Sequence, residues 1–153
     1  MEPNQFVNQE LADMMFGEFI GQGMSRSVYQ HRFYNDLVFK IEDLGSSKIY
    51  EFQNAVEWQN WNFIQHSAIE KYFAPCRKIS DNGKILIQER VEPILKIPKN
   101  FPRIFNDMRL CNFGKYKGRV VLCDYGYGGL DVPTLCKKLK RWKAKLRRKQ
   151  ATD

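Results

Sequence analysis

The side chains able to do chemistry are unevenly supplied in this chain, and that alone narrows what the protein can do. Two histidines, His31 and His66, are too few and too scattered for a histidine metal site or a Ser/His/Asp triad, and both read as packed or surface residues. Cys76, Cys111, Cys123 and Cys136 show neither the close pairing of zinc ligands nor the density of a disulfide scaffold, so free thiols in a reducing compartment are expected. Any metal chemistry therefore has to come from carboxylates. Gly21-Gln22-Gly23 is a weak signal by itself, because a glycine pair between two strands usually marks a turn. Charge is concentrated at the end of the chain. Lys137, Lys138, Lys140, Arg141, Lys143, Lys145, Arg147, Arg148 and Lys149 form a run of nine basic residues with no acid among them. Setting these nine aside leaves 16 basic against 17 acidic residues, so the net charge of +8 belongs to the tail and the rest carries −1.

These residues need elements to position them. With 153 residues, 43% of them hydrophobic, the chain can bury one core but hardly two. Phe16 to Ile20 and Ser27 to Tyr34 read as strands around the glycine pair, and Leu37 to Ile41 as a third, entered through the Asn35-Asp36 turn. Ser46 or Ser47 can cap a helix running to about His66, with Ile49, Phe52, Val56, Phe63 and Ile64 on its apolar side, widened by Trp58 and Trp61. Cys76 to Ile79 and Lys84 to Glu89 flank Asp81-Asn82-Gly83, whose Asn-Gly pair suits a tight hairpin with positive backbone angles. Pro93 and Pro98 make Arg90 to Asn100 a connector. Cys111 to Phe113 and Arg119 to Cys123 then flank a Gly114 to Gly118 turn, and Leu135, Leu139, Trp142 and Leu146 recur at helical spacing.

In this order the residues resemble the protein kinases. GQGMSRSVY (Gly21 to Tyr29), a strand VFKIE carrying Lys40 and a helix carrying Glu57 are similar to the family's small lobe. Asp107, four residues and Asn112 reproduce its catalytic-loop spacing, and Asp124-Tyr125-Gly126 stands where Asp-Phe-Gly is usual. The resemblance implies a hairpin backbone covering ATP phosphates, with Gly21, Gly23, Arg26 and Val28 at the nucleotide, Lys40 on the phosphates, and Glu57 holding Lys40 by an ion pair. Glu57 is preferred to Glu51 on its spacing from Lys40. It further implies that Asn112 and Asp124 hold Mg2+, that Asp107 takes the proton of an attacking hydroxyl, and that the Glu89-Arg90-Val91 hinge pairs with adenine, with Glu89 and Val91 lining its site. Plain alternatives exist for each residue: a solvent-facing Lys40 on an edge strand, Asp107 as a cap, Asp124 as a strand-end carboxylate.

The likeness covers about Phe16 to Gly126 and departs from the family in several places. Arg26 replaces the third glycine, Phe105-Asn106 replaces the usual His-Arg before Asp107, and the stretch between hinge and catalytic loop is too short for the usual large-lobe helices. Beyond Gly126 only 27 residues follow, without an Ala-Pro-Glu motif. The expectation is an α+β, protein-kinase-like fold: an extension (1–15), a five-stranded antiparallel small lobe with one helix (16–92), a strongly reduced large lobe (93–136) and a basic helical tail (137–153). ATP/Mg2+-dependent phosphotransfer to a hydroxyl acceptor is the function implied. The alternative is a non-catalytic, pseudokinase-like binding protein that engages or inhibits a macromolecule, or has its large lobe completed by one. Lys137 to Lys149 could meet nucleic acid, an acidic protein or an anionic surface. The start lacks a secretory pattern and no apolar run approaches the ~18 residues of a span, so a cytoplasmic location is expected. Such compact kinase-like chains resemble those of viruses and bacteriophages, which would make it host cytoplasm.

Overall fold

The computed structural model describes residues 3–23, 25–42 and 52–152. A helix α1 (Pro3–Met15) leads into strands β1 (Phe16–Gln22), β2 (Arg26–His31) and β3 (Leu37–Glu42), followed by helix α2 (Gln53–Ile64) and strands β4 (Cys76–Ile79) and β5 (Ile85–Glu89). The five strands form one antiparallel sheet in the order β1-β2-β3-β5-β4. All five expected strands are present. The amino-terminal stretch, expected only as an extension, is helical.

Alternation along β3 separates two faces, as the two-residue period of a strand requires. Phe39 packs edge-on to Phe16 (4.8 Å between centroids) and stacks on His31 (4.7 Å), so His31 is a packed residue. The Phe33 N–H donates to His31 Nδ1 (3.2 Å). Val38, Lys40 and Glu42 share the other face, and all three are buried. Since β3 lies between β2 and β5, Lys40 is on a central strand and not on an edge.

α2 departs from its expected face. Phe52 and Phe63 are 60% and 61% exposed, while the buried side carries Asn54, Glu57, Asn60, Trp61 and Ile64. Three of those five are polar, so an apolar-stripe criterion finds Trp61 and Ile64 but misses the polar part of the buried face and wrongly includes Phe52 and Phe63. Ser46, Ser47, Ile49 and Glu51 lie outside the described residues. The first turn of α2 is capped from β3: Glu42 accepts the N–H groups of Phe52 (3.2 Å) and Asn54 (2.6 Å). The β4-β5 turn also corrects an expectation, because Gly83 alone takes a positive φ (73°), with Asn82 accepting the Lys84 N–H (3.0 Å).

A second sheet consists of β6 (Phe113–Tyr116) and β7 (Arg119–Leu122). Gly114 to Tyr116 belong to β6, so the turn is shorter than the expected five residues. Lys117 and Gly118, both at positive φ (46° and 78°), form it alone. Backbone bonds sew this hairpin to the rest: Ala74 N–H to Leu122 O (2.7 Å), and a reciprocal pair between Glu92 and Lys115 (2.9 and 2.8 Å). Helix α3 (Val132–Thr152) begins at Asp131, whose carboxylate accepts the Thr134 N–H (3.0 Å) and hydroxyl (2.8 Å). Leu135 and Leu139 of α3 join one contiguous core with Trp61 and Ile64 of α2, Phe73, Leu86, Phe101, Phe105, Leu122 and Tyr125. Aromatic contacts run through it, including Phe73 to Tyr125 (5.1 Å) and Phe101 to Phe113 (5.4 Å). The two sheets and both later helices therefore share a core. No helix among the described residues is long and apolar enough to cross a membrane.

Candidate functional site

The buried face of α2 is polar because it meets charged groups from β2 and β3 and a neutral amide from β5. Glu57 is fully buried and accepts four hydrogen bonds. Lys40 Nζ (2.5 Å) and Gln88 Nε2 (3.0 Å) donate to Oε1; Arg26 Nη2 (3.0 Å) and the Tyr125 N–H (3.0 Å) donate to Oε2. Lys40 Nζ also donates to the Cys123 carbonyl. Burial pushes the Glu57 carboxyl up, but the Arg26 and Lys40 charges outweigh it and hold the group below its ordinary value. The ion pair expected between Lys40 and Glu57 is thus formed, inside a wider network.

Arg26 is the largest addition to the expected site. Its side chain, 6% exposed, reaches from β2 to Glu57, to Asp124 Oδ1 (2.6 Å) and to Asn54 Oδ1 (3.2 Å). Burial works against its charge, yet Glu57 and Asp124 more than compensate and raise its pKa. Asn54 fixes the geometry further by donating to the carbonyls of Lys40 (3.0 Å) and Lys84 (3.0 Å). Gly126 has a packing reason: a Cβ there would lie 2.7 Å from the Gln53 carbonyl oxygen and 3.2 Å from Glu57 Oε2. Tyr125 is fully buried, its hydroxyl donating to the Ala74 carbonyl (2.5 Å), and Asn60 Nδ2 donates to the carbonyls of Tyr125 (2.8 Å) and Tyr127 (3.0 Å). Tyr125, Gly126 and Tyr127 are therefore pinned to α2, and Asp124 is tied to it through Arg26.

These groups open onto a cleft of about 420 Å³ between the β1-β2 hairpin and the β6-β7 region. Of the expected residues, Gly21, Gly23, Arg26, Val28, Lys40, Glu89, Val91, Asn112 and Asp124 all line it, with Glu57 directly behind Lys40 and Arg26. Residues 70 or more positions apart in the sequence are gathered here. Glu89 is buried and its carboxylate receives Arg77 Nε (2.7 Å), so its side chain is occupied by β4. A larger concavity, about 710 Å³, lies by Asn35, Asp36 and Lys117, but it contains none of the buried charge network.

Asp107 stands apart from the cleft lining. Arg109 grips its carboxylate through Nε (3.0 Å to each oxygen) and Nη2 (2.7 Å to Oδ2), and its N–H adds a further bond (3.1 Å). The Arg109 hydrogen bonds, with help from Asn112, hold the Asp107 carboxyl down at about 2. Asn112 thus touches Asp107 on one side and lines the cleft on the other.

No group of three or more His, Cys, Asp or Glu among the described residues is placed to hold a metal by itself. Asp124, with its side chain 55% exposed, and Asn112 offer hard oxygens at the cleft, one Asp124 oxygen being held by Arg26. That donor set fits magnesium accompanied by phosphate oxygens and water better than a bare ion, since magnesium commonly takes few protein ligands. Gln88, Asn54 and Asn60 were missed in the sequence, although Asn54, Glu57 and Asn60 recur every three residues, a polar stripe at helical spacing. No family model and no curated protein sequence matches the chain.

Proposed function

We propose that this protein binds ATP with Mg2+ in the cleft and transfers phosphate to a hydroxyl acceptor, in the manner of a reduced protein-kinase-like fold. The observation that carries the reading is the buried Lys40–Glu57 ion pair opening onto a cleft that also gathers the hairpin glycines, Asn112 and Asp124. Lys40, held in place by Glu57, neutralises phosphate charge without having to be ordered at the moment of binding. The hairpin around Gly21 and Gly23 covers the phosphates, and the Glu89 to Val91 backbone edge faces the base. Asn112 and Asp124 would hold magnesium, which when bound would supply charge neutralisation at the transferring group. As the acceptor oxygen bonds to the γ-phosphorus, the bond to the β–γ bridging oxygen breaks, ADP leaves, and the hydroxyl proton passes to Asp107, which requires Arg109 to release a carboxylate oxygen toward the cleft. Arg26 has to loosen from Asp124 or share it, because guanidinium and metal seek the same carboxylate.

One observation favours a second reading. Both carboxylates that phosphotransfer needs are gripped by arginines, Asp124 by Arg26 and Asp107 by Arg109. A chain whose arginines stayed there would bind nucleotide without turnover and act as a binding protein. Thermal unfolding with and without excess MgATP, on wild type and Asp124→Asn, tests the nucleotide reading. A ligand at 100 times its Kd adds about 2.7 kcal/mol, or roughly 5–11 °C in a domain of this size. A magnesium-dependent rise lost in Asp124→Asn is expected. ADP formation by wild type that disappears in Asp107→Asn selects the enzyme, whereas binding without ADP formation selects the second reading. No shift in either protein would remove both.

A further inference from the structure

We propose that the groove between α3 and residues 103–106 binds the phosphodiester backbone of a nucleic acid. The nine basic residues of α3 are not equivalent. Lys138, Arg141, Trp142 and Lys145 fall at positions i, i+3, i+4 and i+7, so they form one ridge of the helix. That ridge makes one wall of a groove of about 410 Å³, and Arg103 and Asn106 stand on the other. Four cations with a half-buried tryptophan between them face a space that no acidic side chain lines.

The groove is underlain by core residues. Ile104 and Phe105 are buried on the connector side, and Leu135 and Leu139 anchor the helix. None of the four groove cations forms an ion pair among the described residues. Asp107, beside Asn106 in the sequence, is neutralised by Arg109, and Asp131, the cap of α3, accepts from Thr134, with Lys138 helping to hold its pKa down without forming an ion pair with it. Cations spaced along one helix ridge suit a regularly charged polymer, and the part of Trp142 not packed on the core offers an unstacked base a surface. A membrane fits less well, because the apolar stripe that would enter lipid starts with Leu135 and Leu139, which are turned into the core. The inference uses no residue of the nucleotide cleft, so it stands or falls separately from the proposed function.

The test is fluorescence anisotropy of the full chain with single-stranded and duplex 20-mers across a salt series. If the four groove cations contact phosphates, log K falls with log salt at a slope of about −3 for single strands. Neutralising Lys138, Arg141 and Lys145 together to Gln should cut the slope by about 2 and weaken binding about 100-fold near 0.1 M salt. Neutralising Lys137, Lys140 and Arg147 instead, on the remaining arc of the same helix, removes equal charge and should change affinity less than about fivefold in screened conditions. Circular dichroism confirms that α3 persists in both variants. Three results would overturn the proposal: no binding of either oligonucleotide at about 50 mM salt, equal loss in the two triple variants, or tighter groove-dependent binding of anionic vesicles or a poly-glutamate peptide than of either nucleic acid.

Discussion

Replacing Glu57 with Gln should be among the most damaging single changes available in this chain. The carboxylate is fully buried and receives Lys40, Arg26, Gln88 and the Tyr125 N–H, while the Lys40 and Arg26 side chains are 7% and 6% exposed. Gln keeps the shape but leaves two buried cations facing a neutral amide, whose NH2 end has to point at one of them. Breaking a buried ion pair from one side costs about 3–5 kcal/mol. Arg26 retains Asp124 and Lys40 retains the Cys123 carbonyl, so the loss does not double. Against a total stability of about 5–15 kcal/mol, this is a large share, and Tm should fall by roughly 6–20 °C. Urea unfolding followed by circular dichroism gives the free energy, with an unchanged m-value showing that the unfolded state is comparable. The same carboxylate sets an acid limb. Its folded pKa lies below the ordinary value, so its stabilisation is complete above about pH 4.3 and is lost as pH falls toward the folded value. The Gln variant should therefore show a flatter stability profile below about pH 4.3. A loss under about 1 kcal/mol, or an acid limb identical to wild type, would refute the network as the core of the site.

Other perturbations probe different parts of the same arrangement. Gly126→Ala puts a Cβ 2.7 Å from the Gln53 carbonyl and should destabilise by about 1–3 kcal/mol in urea titration; an unchanged midpoint would mean that Asp124-Tyr125-Gly126 is not pinned against α2. Arg26→Gln frees the Asp124 carboxylate and should lower the magnesium concentration for half-maximal ATP binding by calorimetry; a higher requirement would show that Arg26 does not compete with the metal. Burial raises the thiols of Cys76 to about 12 and Cys123 to about 11, while Cys111 is exposed. Iodoacetamide at pH 8 should label Cys111 first, with MgATP slowing it because Cys111 lines the cleft. Peptide mapping that finds Cys76 modified earliest would contradict the burial.

Local structure was written plainly in the sequence, and the reasons are local. Each strand of the main sheet is short, aromatic or β-branched and bounded by a turn signal, so its existence follows from a few neighbouring residues. Lys40 could be placed inside the sheet because Val38, Phe39 and Ile41 surround it with residues that need burial. Apolar patterning found Trp61 and Ile64 on the buried side of α2 but misplaced the rest of the face, because it assumes that a buried face is oily throughout. Phe52 and Phe63 stay outside, and Asn54, Glu57 and Asn60 go inside to meet Arg26, Lys40 and the Tyr125 backbone. Arg26 was placed at the cleft, but its contact with Asp124 spans 98 positions, and its bridge between Glu57 and Asp124 depends on how β2, α2 and the post-β7 segment meet. No periodicity encodes such a meeting. Asp107 shows the converse: its spacing to Asn112 is visible in the sequence, yet Arg109 two residues away takes its carboxylate. The cap of α3 at Asp131 was legible in principle, since Asp precedes the helix and Thr134 sits three residues on.

The most direct test of the central claim is an isothermal titration of ATP into the full chain in magnesium, repeated on Lys40→Met after circular dichroism has confirmed that the variant is folded. Saturable one-to-one binding by wild type, displaced by ADP, is expected, with at least a tenfold loss in the variant, or about 1.4 kcal/mol. Absence of binding by wild type at millimolar ATP, or equal binding by both proteins, would contradict the assignment of the cleft to a nucleotide.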